Sequence, residues 1–310
     1  MTRAAAEQVL TYTRTEARVG HVTLSRPGRL NAINAQLRDE LWSLLQGVDA
    51  DDGVHVLVIS GAPRSDGRPC FCAGADVKDV AAASGQEAEQ NPADLVRAMM
   101  VARAPAAPSV AGIADLLESM STPSIAAIDG VCTAGGLELA LACDLRVAAE
   151  TAEISDLHIR NLGHIGGGGV AVRLQRAVGS AWAKEVMFTG AVVPPQTALR
   201  IGLVNHVYPA DELLARAMAQ AERIAGHRAA AIGMAKAVIG AAEEIDKATA
   251  IRYSLAGRRA LYSAAGYRAL TEKKGLPTWL KQTHEEVVGA RVNHRGGRCA
   301  PPRGRARCGR

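Results

Sequence analysis

The 310-residue sequence is poor in aromatic side chains, which make up 3% of it, and several features that mark particular protein classes are missing. It has no run of about 18 uncharged apolar residues, so we expect no membrane-spanning helix. The N-terminus has no basic segment followed by an apolar one, so we expect a cytoplasmic protein. The six cysteines form no paired C-x-x-C knuckles, and we therefore expect reduced thiols instead of a disulfide framework.

Positive charge is concentrated at the C-terminal end of the chain. The formal net charge is +5, but residues 291–310 contain seven arginines and no acidic residue. The remaining chain has 29 basic against 31 acidic residues, a net charge of −2. We predict that residues 286–310 form a disordered tail. Such a tail could bind nucleic acid, but we favour a solvated extension and do not expect nucleic acid as a partner.

The stretch at 125–147, IAAIDGVCTAGGLELALACDLRV, combines three features in sequence. A short apolar strand at 125–128 leads into a small-residue loop at 133–136, and a helix-favouring run follows at 137–142. Glycines let the backbone approach a ligand closely, and a helix N-terminus directs free N–H groups at it. Glu138 lies in the first turn of this helix. A carboxylate there can simply interact favourably with the helix dipole, or it can act as a general acid or base.

Hydrophobic periodicity predicts further elements along the chain. Alternation at 9–13 and 19–24 predicts a β-hairpin, and a β-branched run at 54–60 predicts a buried parallel strand. Asn34 could cap a helix over 36–46. The remaining predicted elements are a strand at 145–148 and helices at 113–120, 213–224 and 229–241, the last two suited to packing between helices.

Two loops together carry a resemblance to the enoyl-CoA hydratase/isomerase (crotonase) family. The 125–147 stretch, with Asp129-Gly130 before the glycine turn and Cys143-Asp144 at its end, resembles the family signature. The loop CFCAGADVK at 70–78 resembles the family's F-x-A-G-A-D-[IVL]-K segment. The similarity extends over roughly residues 9–285. It implies an α/β fold: a crotonase-like (ClpP/crotonase) spiral of β-β-α repeats with two roughly perpendicular sheets and a helical C-terminal region.

The resemblance also implies the roles of individual residues. The backbone N–H groups of Ala75 and Gly135 correspond to the oxyanion hole, which stabilises a thioester enolate, and Glu138 is the implied catalytic carboxylate. Lys274 and Lys281, near a segment that resembles the family's C-terminal close, are candidates for reaching the CoA. Implied CoA- or substrate-binding residues are Arg29, Ala32, Ala73, Gly74, Asp76, Val77, Lys78 and Gly136.

One segment departs from the family pattern. Typical hydratases of the family carry a second catalytic Glu about twenty residues after the first, but here that position is His158, within ISDLHIRNLG at 154–163. If the segment is extended, Asp156 and His158 project to the same face, and the carboxylate could fix the imidazole tautomer and raise its pKa. His158 is then either a catalytic acid or base beside Glu138, or a polar residue that only lines the pocket. We interpret His164 as structural.

We predict a 2-enoyl-CoA hydratase in which Glu138 activates water and the oxyanion hole holds the thioester oxygen. The resemblance implies an acyl-CoA substrate, no metal or separate cofactor, and a homotrimer or a hexamer built from trimers. It also implies a division into a spiral core at 1–205, a helical trimerisation region at 206–285 and the tail. The glycine run at 166–169 lacks a P-loop pattern, so we interpret it as a tight turn that lets a helix pack near the pocket.

Two alternatives remain open from the sequence. An acyl-CoA or ring-cleaving hydrolase of the same family could use Asp156, His158 and Glu138, because enolate or oxyanion stabilisation is common to all these reactions. A catalytically weak RNA-binding or scaffolding homologue is suggested by the arginine-rich tail. The acidic body and the scarcity of aromatic residues are evidence against RNA binding.

Overall fold

The computed structural model of the protein describes residues 8–76 and 108–263. Several predictions lie outside these ranges: those for Val77, Lys78, Lys274, Lys281 and the tail. The described strands are β1 (Leu10–Arg14), β2 (Val19–Leu24), β3 (Val56–Gly61), β4 (Cys70–Cys72), β5 (Ser124–Ile128), β6 (Val131–Thr133), β7 (Leu145–Ala149), β8 (Glu153–Ser155) and β9 (His206–Tyr208). The described helices are α1 (Ala35–Ala50), α2 (Val110–Ser119), α3 (Gly135–Ala142), α4 (Val170–Thr189), α5 (Pro195–Arg200), α6 (Leu213–Ala225), α7 (Ala229–Ala242) and α8 (Lys247–Ser263).

The strands form two sheets. Six strands make the larger sheet in the order β1-β2-β3-β5-β7-β9, and three make the smaller one in the order β4-β6-β8. The β1–β2 hairpin is antiparallel, whereas every other pairing in both sheets is parallel. The chain also divides into two compact units, residues 1–251 and 252–310, and the site described below lies in the first.

The chain enters the two sheets alternately. After β5 in the larger sheet it adds β6 to the smaller one and then forms α3; after β7 it adds β8 and continues to α4. Each turn therefore has the sequence strand, strand, helix. This arrangement confirms the predicted spiral of β-β-α repeats, and it brings the start of α3 and the loop before α4 to the same end of the structure.

The larger sheet is covered on both faces. One face packs against the helices α1 to α4 around a core of aliphatic side chains and Phe71. The other face packs against α6, which contributes Leu213, Ala217, Ala221 and Ala225 at intervals of four residues. We predicted that this helix packs between helices, and that was wrong: its narrow stripe of mostly alanine fits the closely spaced side chains of a sheet. No residue of α7 is buried.

Several local predictions are confirmed. Residues 9–13 and 19–24 form the hairpin, and the 54–60 run contains the buried parallel strand β3. The Asn34 side chain caps α1 by accepting a hydrogen bond of 2.9 Å from the Leu37 amide. Among the described helices, none has the length and apolar character needed to cross a bilayer. The division at residues 205 and 285 stays a prediction.

Candidate active site

The two glycine loops meet at the N-terminus of α3. A Cβ atom added to Gly74 would lie 2.7 Å from the amide nitrogen of Gly135, and one added to Gly135 would lie 3.2 Å from the amide nitrogen of Ala75. Glycine is required at Gly74 for a second reason, because its φ of 99° is rarely adopted by other residues. The loops can therefore approach this closely only without side chains.

Within the part of the chain that the structure describes, neither amide donates to the secondary structure around it. In the bridge that pairs Ala75 with Ile33, the Ile33 amide donates to the Gly74 carbonyl and the Asp76 amide donates to the Ile33 carbonyl, so the Ala75 amide is not one of the donors. Gly135 is the first residue of α3, and N–H groups in a first turn have no partner within the helix. This pair of donors matches what a developing thioester oxyanion requires.

The residue before Gly135 has a strained backbone. Ala134 has φ 51° and ψ −124°, a conformation that non-glycine residues rarely adopt. Such a conformation costs on the order of 1–3 kcal/mol and persists only where neighbouring structure enforces it. The Glu138 amide donates to the Ala134 carbonyl at 3.0 Å, and a Cβ added to Gly74 would lie 3.0 Å from the Ala134 Cβ, so Ala134 is held by α3 and by the first loop.

Asn31, which was not among the predicted site residues, fixes the first loop. It is fully buried and has a positive φ of 52°. Its Nδ2 donates to the carbonyls of Ala62, Cys70 and Phe71 at 2.8, 2.9 and 3.3 Å. Its Oδ1 accepts from the Arg26 amide at 2.9 Å. One side chain thus satisfies four backbone groups around β4, the strand that leads into the loop.

Asp76 has a clear structural partner. Its Oδ2 lies 3.0 Å from Nη1 of Arg26, and both side chains are largely buried. The same Arg26 nitrogen donates to the Ala32 carbonyl at 2.5 Å. The contact ties the end of the first loop to the segment after β2. The predicted roles of Asp76 and Ala32 in CoA binding stay predictions.

The remaining predicted CoA-binding residues lie around the same loops. Arg29 is exposed in a 3₁₀ turn at Pro27–Arg29, and Ala73 is half-buried directly before Gly74. Gly136 is buried, and any side chain there would collide with the Cys72 carbonyl. This close contact gives Gly136 a packing role in holding α3 against β4, whatever its role toward substrate.

Glu138 lies in the first turn of α3, three residues after Gly135, and is only 1% exposed. Its Oε1 accepts hydrogen bonds from the amides of Gly168 at 2.8 Å and Val170 at 3.3 Å. These amides belong to the loop and first turn of α4. A buried carboxylate therefore lies at the N-terminus of a second helix, where N–H groups stabilise its charged form.

The glycine run at 166–169 covers this carboxylate closely. A Cβ added to Gly168 would lie 2.5 Å from Oε2 of Glu138, and one added to Gly166 would lie 2.7 Å from Oε1 and 2.6 Å from Cε1 of His158. The run is a tight turn before α4, as predicted, but it also contacts both polar groups of the site directly. Glu138 and His158 therefore lie close to each other beside Gly166.

Asp156 and His158 form a buried pair. Nδ1 of His158 lies 2.7 Å from Oδ1 of Asp156, and the two residues are 5% and 0% exposed. Among the described residues, none hydrogen-bonds to Nε2 of His158, and Oδ2 of Asp156 also has no partner. With Nδ1 engaged by the carboxylate, Nε2 is the nitrogen available for chemistry.

The predicted contact between Asp156 and His158 is present, but for a different reason. We expected an extended segment, whereas β8 ends at Ser155 and a π-helical turn begins at His158. Leu157, at φ −108° and ψ 9°, bends the chain, so the Asp156 side chain reaches both the ring and the amide of His158. His164 is exposed, and its ring centroid lies 5.5 Å from that of His158.

The surroundings shift both titratable groups upward. Burial raises the pKa of Glu138; nearby His158 and the amides of Val170 and Gly168 oppose this effect, while Asp156 adds to it. Burial acts to lower the pKa of His158, but the hydrogen bond to Asp156 and the charges of Glu138 and Asp156 outweigh it and raise the pKa. Each of the two groups therefore favours the charged form of the other.

Comparisons with known proteins agree with this geometry. A sequence profile described as enoyl-CoA hydratase/isomerase matches residues 14–280. The probable enoyl-CoA hydratase echA8 of Mycobacterium bovis is 35% identical over 267 residues, which cover 86% of this chain and 93% of that protein. Crotonyl-CoA hydratase of Syntrophomonas wolfei is 33% identical over 275 residues, 88% of this chain and 95% of that protein.

Solved structures with a similar fold include members of the same family. An enoyl-CoA hydratase structure from Bacillus anthracis superimposes with a TM-score of 0.71 and 29% sequence identity. The match covers 86% of this chain and 97% of that one. The predicted crotonase fold is thereby confirmed, with nearly the whole length of the related structure represented here.

Proposed function

Since the chain belongs to the enoyl-CoA hydratase/isomerase family, we propose that it is a 2-enoyl-CoA hydratase, a hydro-lyase that adds water across the double bond of an enoyl-CoA thioester. The observation that carries this proposal is the position of Glu138. Its buried carboxylate lies one helical turn after the Gly135 amide and next to the Asp156–His158 pair. A base, an oxyanion site and an acid are thus within reach of one substrate.

The addition begins with Glu138. Its carboxylate takes a proton from a water molecule as the water oxygen bonds to C3 of the enoyl group. The electron pair of the C2–C3 double bond moves to C2 and, by conjugation, onto the thioester oxygen. The amides of Ala75 and Gly135 donate hydrogen bonds to this oxygen and stabilise the enolate.

His158 completes the reaction as the acid. Its imidazolium delivers the Nε2 proton to C2, while Asp156 holds Nδ1–H and so fixes which nitrogen faces the substrate. The product is a 3-hydroxyacyl-CoA thioester with one water added. The cycle closes when solvent removes the proton from Glu138 and returns one to His158. The reaction needs no cofactor beyond the CoA of the substrate.

A second candidate is a thioester hydrolase, favoured by the 2.7 Å contact between His158 and Asp156. In this reaction neutral His158 takes a proton from water, and the water oxygen bonds to the thioester carbon. The C–S bond then breaks, and CoA leaves as a thiol after gaining a proton. The same pair of amides would hold the tetrahedral oxyanion.

We also propose a homotrimer, or a hexamer of two trimers, as the assembly. The described part of the chain exposes large apolar side chains on α4 and α7, among them Val172, Phe188 and Ile239, with exposed fractions of 56%, 69% and 65%. Contact between subunits would remove such side chains from water. Sedimentation velocity at micromolar concentration tests this proposal, and a monomer would contradict it.

The reaction is tested with crotonyl-CoA by following loss of enoyl-thioester absorbance while free CoA is measured in the same sample. Hydration predicts absorbance loss without CoA release. Glu138→Gln, which keeps the shape but cannot accept the proton, should lower kcat by at least about a hundredfold. Stoichiometric CoA release would establish the hydrolase instead. No turnover of either kind would leave the acyl group of the substrate open and favour the scaffold alternative.

A further inference from the structure

Arg173, on the first turn of α4, connects the glycine run to α2. Its Nη1 donates to the Gly168 carbonyl, while Nε and Nη2 form a two-pronged contact with Glu118 at 2.7 Å. Nη2 also donates to Asp115 at 2.8 Å. The Arg173 side chain is only 14% exposed. None of these partners is among the residues assigned a catalytic or CoA-binding role above.

The contact with Gly168 holds a particular peptide group. The Gly168 carbonyl belongs to the peptide between Gly168 and Gly169. The amides directly before and after that peptide are those of Gly168 and Val170, and both donate to Oε1 of Glu138. Fixing the orientation of this one peptide therefore fixes both donors to the carboxylate.

The loop needs such an anchor because its own sequence is permissive. Gly166 and Gly169 have positive φ values of 78° and 81°, and a Cβ on Gly167 would meet nothing within 4 Å. Four consecutive glycines lose more conformational entropy on ordering than other residues do. A guanidinium bound to a carbonyl on one side and to two carboxylates of α2 on the other restrains the loop.

We infer that Arg173 is a positioning residue for Glu138, which holds the Gly168–Gly169 peptide so that the amides of Gly168 and Val170 stay directed at the carboxylate. The inference deepens the proposed function and depends on it only for the role of Glu138 as base. Arginine is suited to this task because its planar fork binds several acceptors in fixed directions, which a lysine ammonium cannot do.

The groups around Glu138 determine how a variant should change its pKa. His158 and Asp156 face it from the segment after β8, and the two amides face it from α4. The charge of Arg173 is balanced by Asp115 and Glu118 of α2. Loss of directed amides removes stabilisation of the carboxylate, so the Glu138 titration should move to higher pH.

The test compares Arg173→Gln with Arg176→Gln, a control on the same helix whose side chain pairs with Glu243 and Glu244 instead. The Glu138 titration is followed by NMR with ¹³C-labelled glutamate, assigned by its absence in Glu138→Gln. Arg173→Gln should move the midpoint up by about one pH unit, and kcat for crotonyl-CoA should fall at least about tenfold with little change in KM. Arg176→Gln should match wild type.

Two further variants keep the test decisive. Glu118→Gln removes one anchor of Arg173 at a half-exposed surface position and should shift the midpoint in the same direction by less. Arg173→Lys keeps the charge without the fork and should remain defective. An unchanged Glu138 midpoint in Arg173→Gln, or full rescue by lysine, would overturn the inference. Wild type that fails to hydrate crotonyl-CoA would count against the proposed function, while the NMR titration would still test the position of the amides.

Discussion

The amide nitrogen of Gly168 lies 2.8 Å from Oε1 of Glu138, so the proposed base receives its hydrogen bond from a residue without a side chain. The contact requires glycine, because a Cβ at this position would lie only 2.5 Å from Oε2. The carboxylate is thus stabilised by backbone while remaining buried. Burial raises the pKa of Glu138, and the amides of Gly168 and Val170 oppose this rise.

Gly168→Ala should lower activity far more than the same change one residue earlier. The added methyl group would displace the Glu138 carboxylate, and misplacement of a catalytic group by about 1 Å can cost about a hundredfold in rate. Gly167→Ala is the matched control, because nothing lies within 4 Å of its Cβ. Steady-state kinetics with crotonyl-CoA on both variants measures the difference. Equal activities would show that the carboxylate position does not limit the rate.

The activity should depend on pH with two limbs, if Glu138 is the base and His158 the acid. The pKa of Glu138 is raised from 4.5, so the acid limb should lie above pH 4.5. The pKa of His158 is raised from 6.5, so activity should persist above pH 6.5 and fall as the imidazolium loses its proton. A profile of kcat/KM against pH measures both limbs.

Variants of the histidine pair assign the alkaline limb. His158→Gln should remove this limb together with most of the activity. Asp156→Asn should move it to lower pH, because the carboxylate that raises the pKa of His158 is lost. His206→Gln, an exposed histidine on β9, should leave the profile unchanged. An alkaline limb that persists in His158→Gln would assign it to another group.

Lys236 should contribute measurably to stability. Its Nζ is bound by Oδ2 of Asp144 at 2.9 Å and by the carbonyl of Leu117 at 2.6 Å, and its side chain is 9% exposed. Lys236→Met leaves Asp144 without its cation and should lower the free energy of unfolding by about 2 kcal/mol. Lys184→Met, at an exposed position of α4, should change it by less than about 0.5 kcal/mol. Urea unfolding measures both, and equal effects would contradict this role.

The four described cysteines should resist alkylation in the folded protein. Burial raises the pKa of Cys70 to about 11 and those of Cys72 and Cys143 to about 12, and it also raises the pKa of Cys132. Thiolates are the reactive species, so almost none are present at pH 8. Iodoacetamide labelling of a C299S/C308S variant, counted by mass spectrometry, should give no adducts before unfolding and four after it. Adducts on the folded variant would show that the core opens locally.

The sequence was informative where the backbone itself is the functional group. Gly74 and Gly135 lie where two loops come together without side chains, and this requirement leaves a pattern that can be read without a structure. The hydrogen bonds of Asn31 left no such pattern. Its four hydrogen bonds go to Arg26, Ala62, Cys70 and Phe71, which are distant in sequence and come together only in the folded chain.

The same distinction applies around Glu138. The residue itself could be selected from its position after a glycine loop, but its amide donors are 30 and 32 residues away along the chain. The contact between Asp156 and His158 was expected from strand periodicity, yet it arises from a bend at Leu157. Short-range patterns predict which residues are adjacent. They do not predict the path of an irregular segment.

All eight residues of α3 are buried, although the helix carries the proposed base. In a helix that is buried on every side, a substitution at any position disturbs the packing of the surrounding side chains. We therefore expect variation in acyl-group preference to arise in the loops that surround α3, while the helix stays nearly constant. Libraries designed to change the substrate should therefore vary the loops and keep the sequence of α3 unchanged.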